Sequence, residues 1–246
     1  MKYFLPLLFI LTLLTSCSEP SDNVLVFTKT TGFRHESIEA GVKAIKKLGA
    51  ENNFNVYHRE DASVFHPDSL TSYDLVLFLN TSGNVFDKQQ QEAFKAYINN
   101  GGSFMGVHGA ADTEPRWNWF VKLLGAKFSS HPMNPNVRQA TIDILRTEHR
   151  SCRHIEGYEW VRYDEWYNYT NISPDITVVM NLNEKSYKGG RNGSFHPIAW
   201  YQEYDGGRMF YTGGGHTDQS YSEEGFVLHL LGGIEFCLRR EENKQI

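Results

Sequence analysis

Two unbroken apolar runs, Val24-Leu25-Val26-Phe27-Thr28 and Leu75-Val76-Leu77-Phe78-Leu79, limit the fold more than any other feature of this chain. They have the length of strands but lack the in-out alternation of a half-exposed strand. A strand tolerates such a run only when both faces are covered, as in a parallel sheet flanked by helices. Between the runs the period is helical: Ile38, Val42, Ile45 and Leu48 fall on one face, with Gly49 placed to end the helix. Phe54 to Tyr57 is a further short strand. Asp87 and Gln90 have the spacing of a capping box ahead of the apolar face Phe94, Tyr97 and Ile98, Gly101-Gly102 stops that helix, and Ser103 to Val107 is the next strand. Strands alternating with helices predict right-handed βαβ units in a doubly wound sheet, whose ligands sit at the carboxyl ends of the strands.

From Val137 onward the alternation stops. Val137 to Leu145, Glu159 to Tyr163, Ile176 to Asn181, Pro197 to Tyr204 and Arg208 to Thr212 all read as strands with only loops between them, so some must be antiparallel. Phe226, Leu230 and Leu231 mark a closing helix.

The N-terminus has a different character. Lys2 precedes an apolar stretch from Tyr3 to Leu14, too short for the roughly 20 residues of a bilayer span. It ends in Leu14-Thr15-Ser16-Cys17, which resembles the lipobox of bacterial lipoproteins. The expected organisation is a lipoprotein signal peptide at 1–16, a lipidated tether at 17–23, one domain at 24–238 and a polar tail at 239–246. Cys17 would carry the acyl anchor, holding the protein to the membrane of a bacterial cell envelope. The chain has 29 acidic against 24 basic residues, and its one local basic run, Arg150 to His154, is short and interrupted. Nucleic acid is therefore excluded as a partner, because a phosphate footprint needs clustered Lys and Arg. Cys152 and Cys237 have no CxxC spacing and read as structural thiols.

Three of the ten histidines fall where sheet logic places a site: His35 after the first strand, His108 directly after Ser103 to Val107, and His216 after Arg208 to Thr212. The small residues of Gly106-Val107-His108-Gly109-Ala110-Ala111-Asp112 suit a sharp strand-to-helix turn whose tip residue, His108, faces solvent. If that turn enters a helix, Asp112 shares a face with His108 and would orient its ring or join it on a metal. His58, His66, His149, His154 and His229 are assigned to hydrogen bonds that tie loops. The stretch Tyr158 to Tyr169 sets Trp and Tyr side chains among carboxylates, which suits either a sugar-binding cleft or an aromatic strand packed on the core.

On Thr31-Gly32-Phe33-Arg34-His35, Gly106 to Asp112 with Trp117 and Trp119, Phe128 with His131-Pro132, Asp164-Glu165-Trp166-Tyr167, His196 to Trp200 and Gly207 to Thr212 running into Gly215-His216-Thr217, the chain resembles the ThuA-like, or trehalose-utilisation, family. That family belongs to the class I glutamine amidotransferase-like superfamily. The resemblance implies a flavodoxin-like α/β three-layer sandwich with a mostly parallel central sheet and added antiparallel strands. Its true amidotransferases carry a nucleophilic cysteine at the elbow, where this chain has His108, so glutamine amidotransfer is excluded.

The resemblance further implies an envelope lipoprotein of carbohydrate catabolism, working with an oxidoreductase that makes 3-keto sugars. Proton abstraction next to the carbonyl of a 3-keto disaccharide or glycoside would use Glu165 or His108 as base, His35 or His216 at the enolate oxygen, and Asp112 as orienter. Trp166, Tyr167, His131 and Asp164 would contact the sugar. A divalent metal such as zinc would draw its ligands from His108, Asp112, His131 and His216, although their spacing matches no compact zinc signature. The competing reading is a non-catalytic sugar-binding or accessory lipoprotein.

Overall fold

The computed structural model describes residues 21–240; the expected signal peptide and Cys17 lie outside them. In chain order the elements are β1 (Asp22–Phe27), α1 (Ile38–Glu51), β2 (Phe54–Arg59), α2 (Pro67–Leu70), β3 (Leu75–Leu79), α3 (Lys88–Asn99), β4 (Ser103–Val107), α4 (Asn118–Leu124), β5 (Lys127–Ser130), β6 (Val137–Ile144), β7 (Glu159–Glu165), β8 (Asn168–Thr170), β9 (Thr177–Asn183), β10 (Pro197–Tyr204), β11 (Gly207–Thr212) and α5 (Glu224–Cys237). One nine-stranded sheet has the order β2-β1-β3-β4-β11-β10-β9-β6-β7, and β5 pairs with β8 in a separate ribbon. The strands β2, β1, β3, β4 and β11 are mutually parallel. Each of β10, β9, β6 and β7 is then antiparallel to its neighbour. Direction alternates across that half, so β7 points the same way as β1 and β4.

The apolar runs are central, as their lack of alternation requires: β3 and β4 are buried at every residue and pair with each other. Phe78 and Phe104 face α3 and α4, with their rings 5.0 Å apart and Phe94 and Phe120 5.5 and 5.7 Å from Phe78. On the opposite face, Met105 and Phe210 pack beneath Gly233 of α5, and Leu79 beneath Gly41 of α1. This gives three layers, helix, sheet and helix. The capping box of α3 forms, with the Asp87 carboxylate accepting from Gln90 N and the Gln90 side chain accepting from Asp87 N. Gly49 does not end α1, which runs on to Glu51 before Asn53 turns left-handed (φ 55°). Gly49 serves close approach instead: a Cβ there would lie 2.6 Å from the Phe54 carbonyl oxygen.

The antiparallel half curls round α5, as strand twist favours. The Arg162 guanidinium of β7 lies over the Phe226 ring at 4.4 Å, and Trp160 meets His229, so the end of β7 returns toward β4 and β11. This strand extends through Glu165, past the expected end at Tyr163, and the β5–β8 ribbon and the helix α4 were not expected from sequence. Its aromatic residues divide, with Trp160 packed on the core while Tyr163 stays 62% exposed. Cys152 and Cys237 are buried free thiols.

Candidate active site

The topology sends β1, β4, β11 and β7 to one edge of the sheet, and each delivers one side chain there. His35 lies in the loop after β1, His108 directly follows β4, Glu165 is the last residue of β7, and His216 follows β11. One nitrogen from each imidazole and one carboxylate oxygen lie within 4.8 Å of one another. Glu165 Oε2 is 3.4 Å from His108 Nε2 and 3.2 Å from His216 Nδ1. Its other oxygen, Oε1, is 3.2 Å from His131 Nδ1 and accepts from Asn136 Nδ2 at 2.8 Å. The three clustered rings stand edge to face, with centroids 4.9 to 5.3 Å apart.

A dense frame holds these groups. His108 adopts φ 44°, a conformation rare for a side-chain-bearing residue. Gly109 makes the turn possible, since a Cβ there would sit 3.1 Å from the Asn80 Cα and the Thr81 carbonyl oxygen. Asn80, itself left-handed at φ 51°, laces three loops together. Its Nδ2 donates to Ser37 Oγ and to the Gly215 carbonyl, and its Oδ1 accepts from Gly109 N. Tyr211 Oη donates to the His108 carbonyl, and His108 Nδ1 faces the Gly213 carbonyl at 2.8 Å. Because a carbonyl only accepts, Nδ1 carries a proton, and the other ring nitrogen, Nε2, is turned toward Glu165.

Beneath the cluster, buried Asp164 sets two of its members. Oδ1 accepts from the Glu165 and His216 backbone N–H groups, and Oδ2 from Gly215 N, Ser220 Oγ and Arg162 Nη1. Burial opposes its charge, but Arg162 first, then His108 and the backbone donors outweigh it and keep the carboxyl below its ordinary range. Burial likewise disfavours charge on Glu165, yet His108 and His216, wherever their rings are protonated, reverse this and hold it far below the usual carboxylate range. His35 is driven down to about 2, by burial first and then by the neighbouring His108 and His216. In His216 burial works toward a lower value, and Glu165 overcomes it and raises the group.

The structure gathers His35, His108, His131, Glu165, Tyr167 and His216 from the sequence-predicted set. Tyr167 packs on the His108 ring at 4.1 Å, and its Oη is 3.4 Å from His35 Nε2. Four expectations are corrected. His108 does not face solvent: it is fully buried, roofed by Tyr167 and the His216 loop. Asp112 does not orient it, because residues 108–112 form a 3-10 turn in which i and i+4 diverge, and the Gly213 carbonyl holds Nδ1 instead. Trp166 is no sugar wall; it is fully buried, its Nε1–H donating to the Arg138 carbonyl. Asp164 is sealed below the site and holds backbone rather than substrate. Sequence reasoning missed Asn80 and Asn136. Asn80 directly follows a buried strand at its carboxyl end, a signal that could have found it, whereas Asn136 had none.

A mostly parallel central sheet with an antiparallel extension and helices on both faces, and a histidine at the turn after β4, define a three-layer α/β sandwich. The chain belongs to the ThuA family, described as trehalose utilisation, whose family model matches residues 23–237. A ThuA-like protein from Bacteroides uniformis is 26% identical with a TM-score of 0.77, covering 92% of this chain and 94% of that one. Another from Parabacteroides merdae is 16% identical, with a TM-score of 0.69 and coverage of 92% and 93%. A cytoplasmic protein of Salmonella typhimurium is 12% identical, with a TM-score of 0.59 and coverage of 87% and 98%. The last two show likeness of fold alone. No curated protein sequence matches the chain.

Proposed function

We propose that this protein is a lipid-anchored envelope enzyme of carbohydrate catabolism that removes the hydrogen next to the carbonyl of an oxidised sugar, a 3-keto disaccharide or glycoside. The observation that carries this reading is the convergence of His35, His108, Glu165 and His216 at one strand-end site, with His131 and Asn136 against the same carboxylate. Abstraction next to a carbonyl needs a proton carrier and a group for the developing oxyanion, and no nucleophile. The elbow residue is an imidazole, and Cys152 and Cys237 are buried elsewhere, which suits that chemistry better than acyl transfer.

The geometry redistributes the roles expected from sequence. Glu165 is held too strongly ionised to be an effective base, and His108 is fully buried with Nδ1 committed to Gly213. His131 is 26% exposed and anchored through Nδ1 beside Glu165 Oε1 and the Pro132 carbonyl, which suits a proton carrier at the mouth. His216, shifted toward its protonated form by Glu165, suits the enolate oxygen. Phe33, 65% exposed with its ring 4.9 Å from His35, offers an apolar surface for the CH face of a sugar. A carbonyl-bearing sugar must come from an oxidation step, so a partner oxidoreductase belongs to this reading.

The test is turnover of a 3-keto disaccharide followed by product mass, using wild type, His131→Ala, His216→Ala and Glu165→Gln, each checked for unchanged melting. Losses of about a hundredfold or more per variant are expected. Full turnover in all three variants, or none in the wild type, would overturn the assignment in favour of a sugar-binding accessory protein. The anchor is tested separately: Cys17→Ala should leave the membrane fraction, and absence of a lipid mass on the wild-type chain would refute it.

A further inference from the structure

The cluster contains a contradiction that protons alone resolve poorly. His35 Nδ1, His108 Nε2 and His216 Nδ1 are buried and have no hydrogen-bond partner, although a carboxylate stands among them. The His108 nitrogen is the clearest case. Its ring proton is on Nδ1 toward Gly213, so in the neutral ring a lone pair confronts Glu165 Oε2 at 3.4 Å, an arrangement that is repulsive unless a positive charge lies between.

We propose that His35, His108, Glu165 and His216 bind a single first-row divalent transition-metal ion, with zinc as the best match to three neutral imidazoles and one carboxylate. The spacing has the right scale. Ligands about 2.0–2.1 Å from a tetrahedral ion lie about 3.3–3.4 Å from one another, and the carboxylate oxygen is 3.4 Å from His108 Nε2 and 3.2 Å from His216 Nδ1. One ion would accept all three lone pairs and neutralise the carboxylate together, whereas protonating the imidazoles separately would crowd cationic rings with centroids 4.9 to 5.3 Å apart.

The surroundings have the form of a ligand-orienting shell. The Gly213 carbonyl fixes His108, Tyr167 Oη stands by His35 Nε2, and Asn136 Nδ2 donates to Glu165 Oε1. His131, on the outer carboxylate oxygen, lies outside the set and remains available to a substrate. Asp112, expected among the ligands, takes no part. The inference does not depend on the sugar reading. Where both hold, the ion takes over from His216 the task of polarising the carbonyl.

The experiment uses the purified full chain stripped with a chelator and titrated with Zn2+ alone by calorimetry, and with Co2+ followed by its visible absorption, which reports ligand type and number. One ion per chain is expected, with a rise in melting temperature, and His35→Ala, His216→Ala and Glu165→Gln should each weaken binding by about a hundredfold or more while His66→Ala leaves it unchanged. Should an alanine variant fail to fold, His216→Gln, which keeps side-chain volume, serves in its place. No saturable ion, or equal binding by folded variants, would overturn the proposal. Metal binding without sugar turnover would sink only the enzymatic reading, and turnover by a chain that binds no ion would sink only this one.

Discussion

Replacing Asp164 by Asn removes a single charge and keeps the shape, yet it strikes the frame under the site. The carboxylate accepts five hydrogen bonds, two on Oδ1 and three on Oδ2, all from donors. An amide placed either way turns its NH2 toward at least two of those donors, so those bonds are lost and the groups are left facing one another. A hydrogen bond to a charged group contributes roughly 1.5–3 kcal/mol, and removing one partner of a buried ion pair costs about 3–5 kcal/mol. Arg162 keeps Glu223 at 2.9 Å, which offsets part of the loss. The expected destabilisation is therefore about 3 kcal/mol, or roughly 6–12 °C in Tm for a chain of this size.

Urea and thermal melts at pH 7 measure this directly, and a cycle with Arg162→Met isolates the coupling, expected at about 1 kcal/mol or more. The pH dependence supplies an internal check. Because the folded carboxyl lies below its unfolded value, its contribution is present above the unfolded pKa of about 3.9 and is lost as pH falls through the folded one. The gap between wild type and Asp164→Asn should thus be flat above about pH 5 and close in stronger acid. A variant within about 0.5 kcal/mol of wild type at pH 7 would refute the claim that this network carries the site.

Acid should weaken the fold early for a second reason: burial holds His229 at about 3 and His149 at about 4. The unfolded chain binds those protons below about pH 6.5 and the folded chain does not, so stability falls with pH by about 1.4 kcal/mol per unit for each, and His229→Gln should flatten the slope. Gly232→Ala should lose about 1–2 kcal/mol in a urea melt despite better helix propensity, because its Cβ would lie 2.5 Å from the Arg150 carbonyl and Ser151 nitrogen. Asp87→Ala should cost about 1 kcal/mol in the same assay by opening the α3 capping box.

The parallel half of the fold was legible because burial on both faces leaves a one-dimensional trace. The runs Val24 to Phe27 and Leu75 to Leu79 admit few other homes, and Asp87 with Gln90 announces a helix start by local chemistry alone. His35, His108 and His216 were found by the same reasoning, since strand ends in a doubly wound sheet face one edge. The resemblance to the ThuA family added Glu165, which no periodicity singles out. The antiparallel half gave strands but no order, because pairing between β9, β6 and β7 depends on contacts far apart in the chain.

Tertiary structure alone decided which polar groups meet. Asp112 is four residues from His108 and plays no part with it, while Gly213, 105 residues away, fixes that ring. Trp166 and Tyr167 are adjacent in the link between β7 and β8, yet one became core and the other the roof over His108. Glu165 joins the histidines only because Arg162 and Trp160 draw β7 around α5. Periodicity and turn chemistry are local quantities that a sequence records directly; the position of a carboxylate between three imidazoles is set by the twist of the sheet and its packing on one helix, which no single stretch of residues contains.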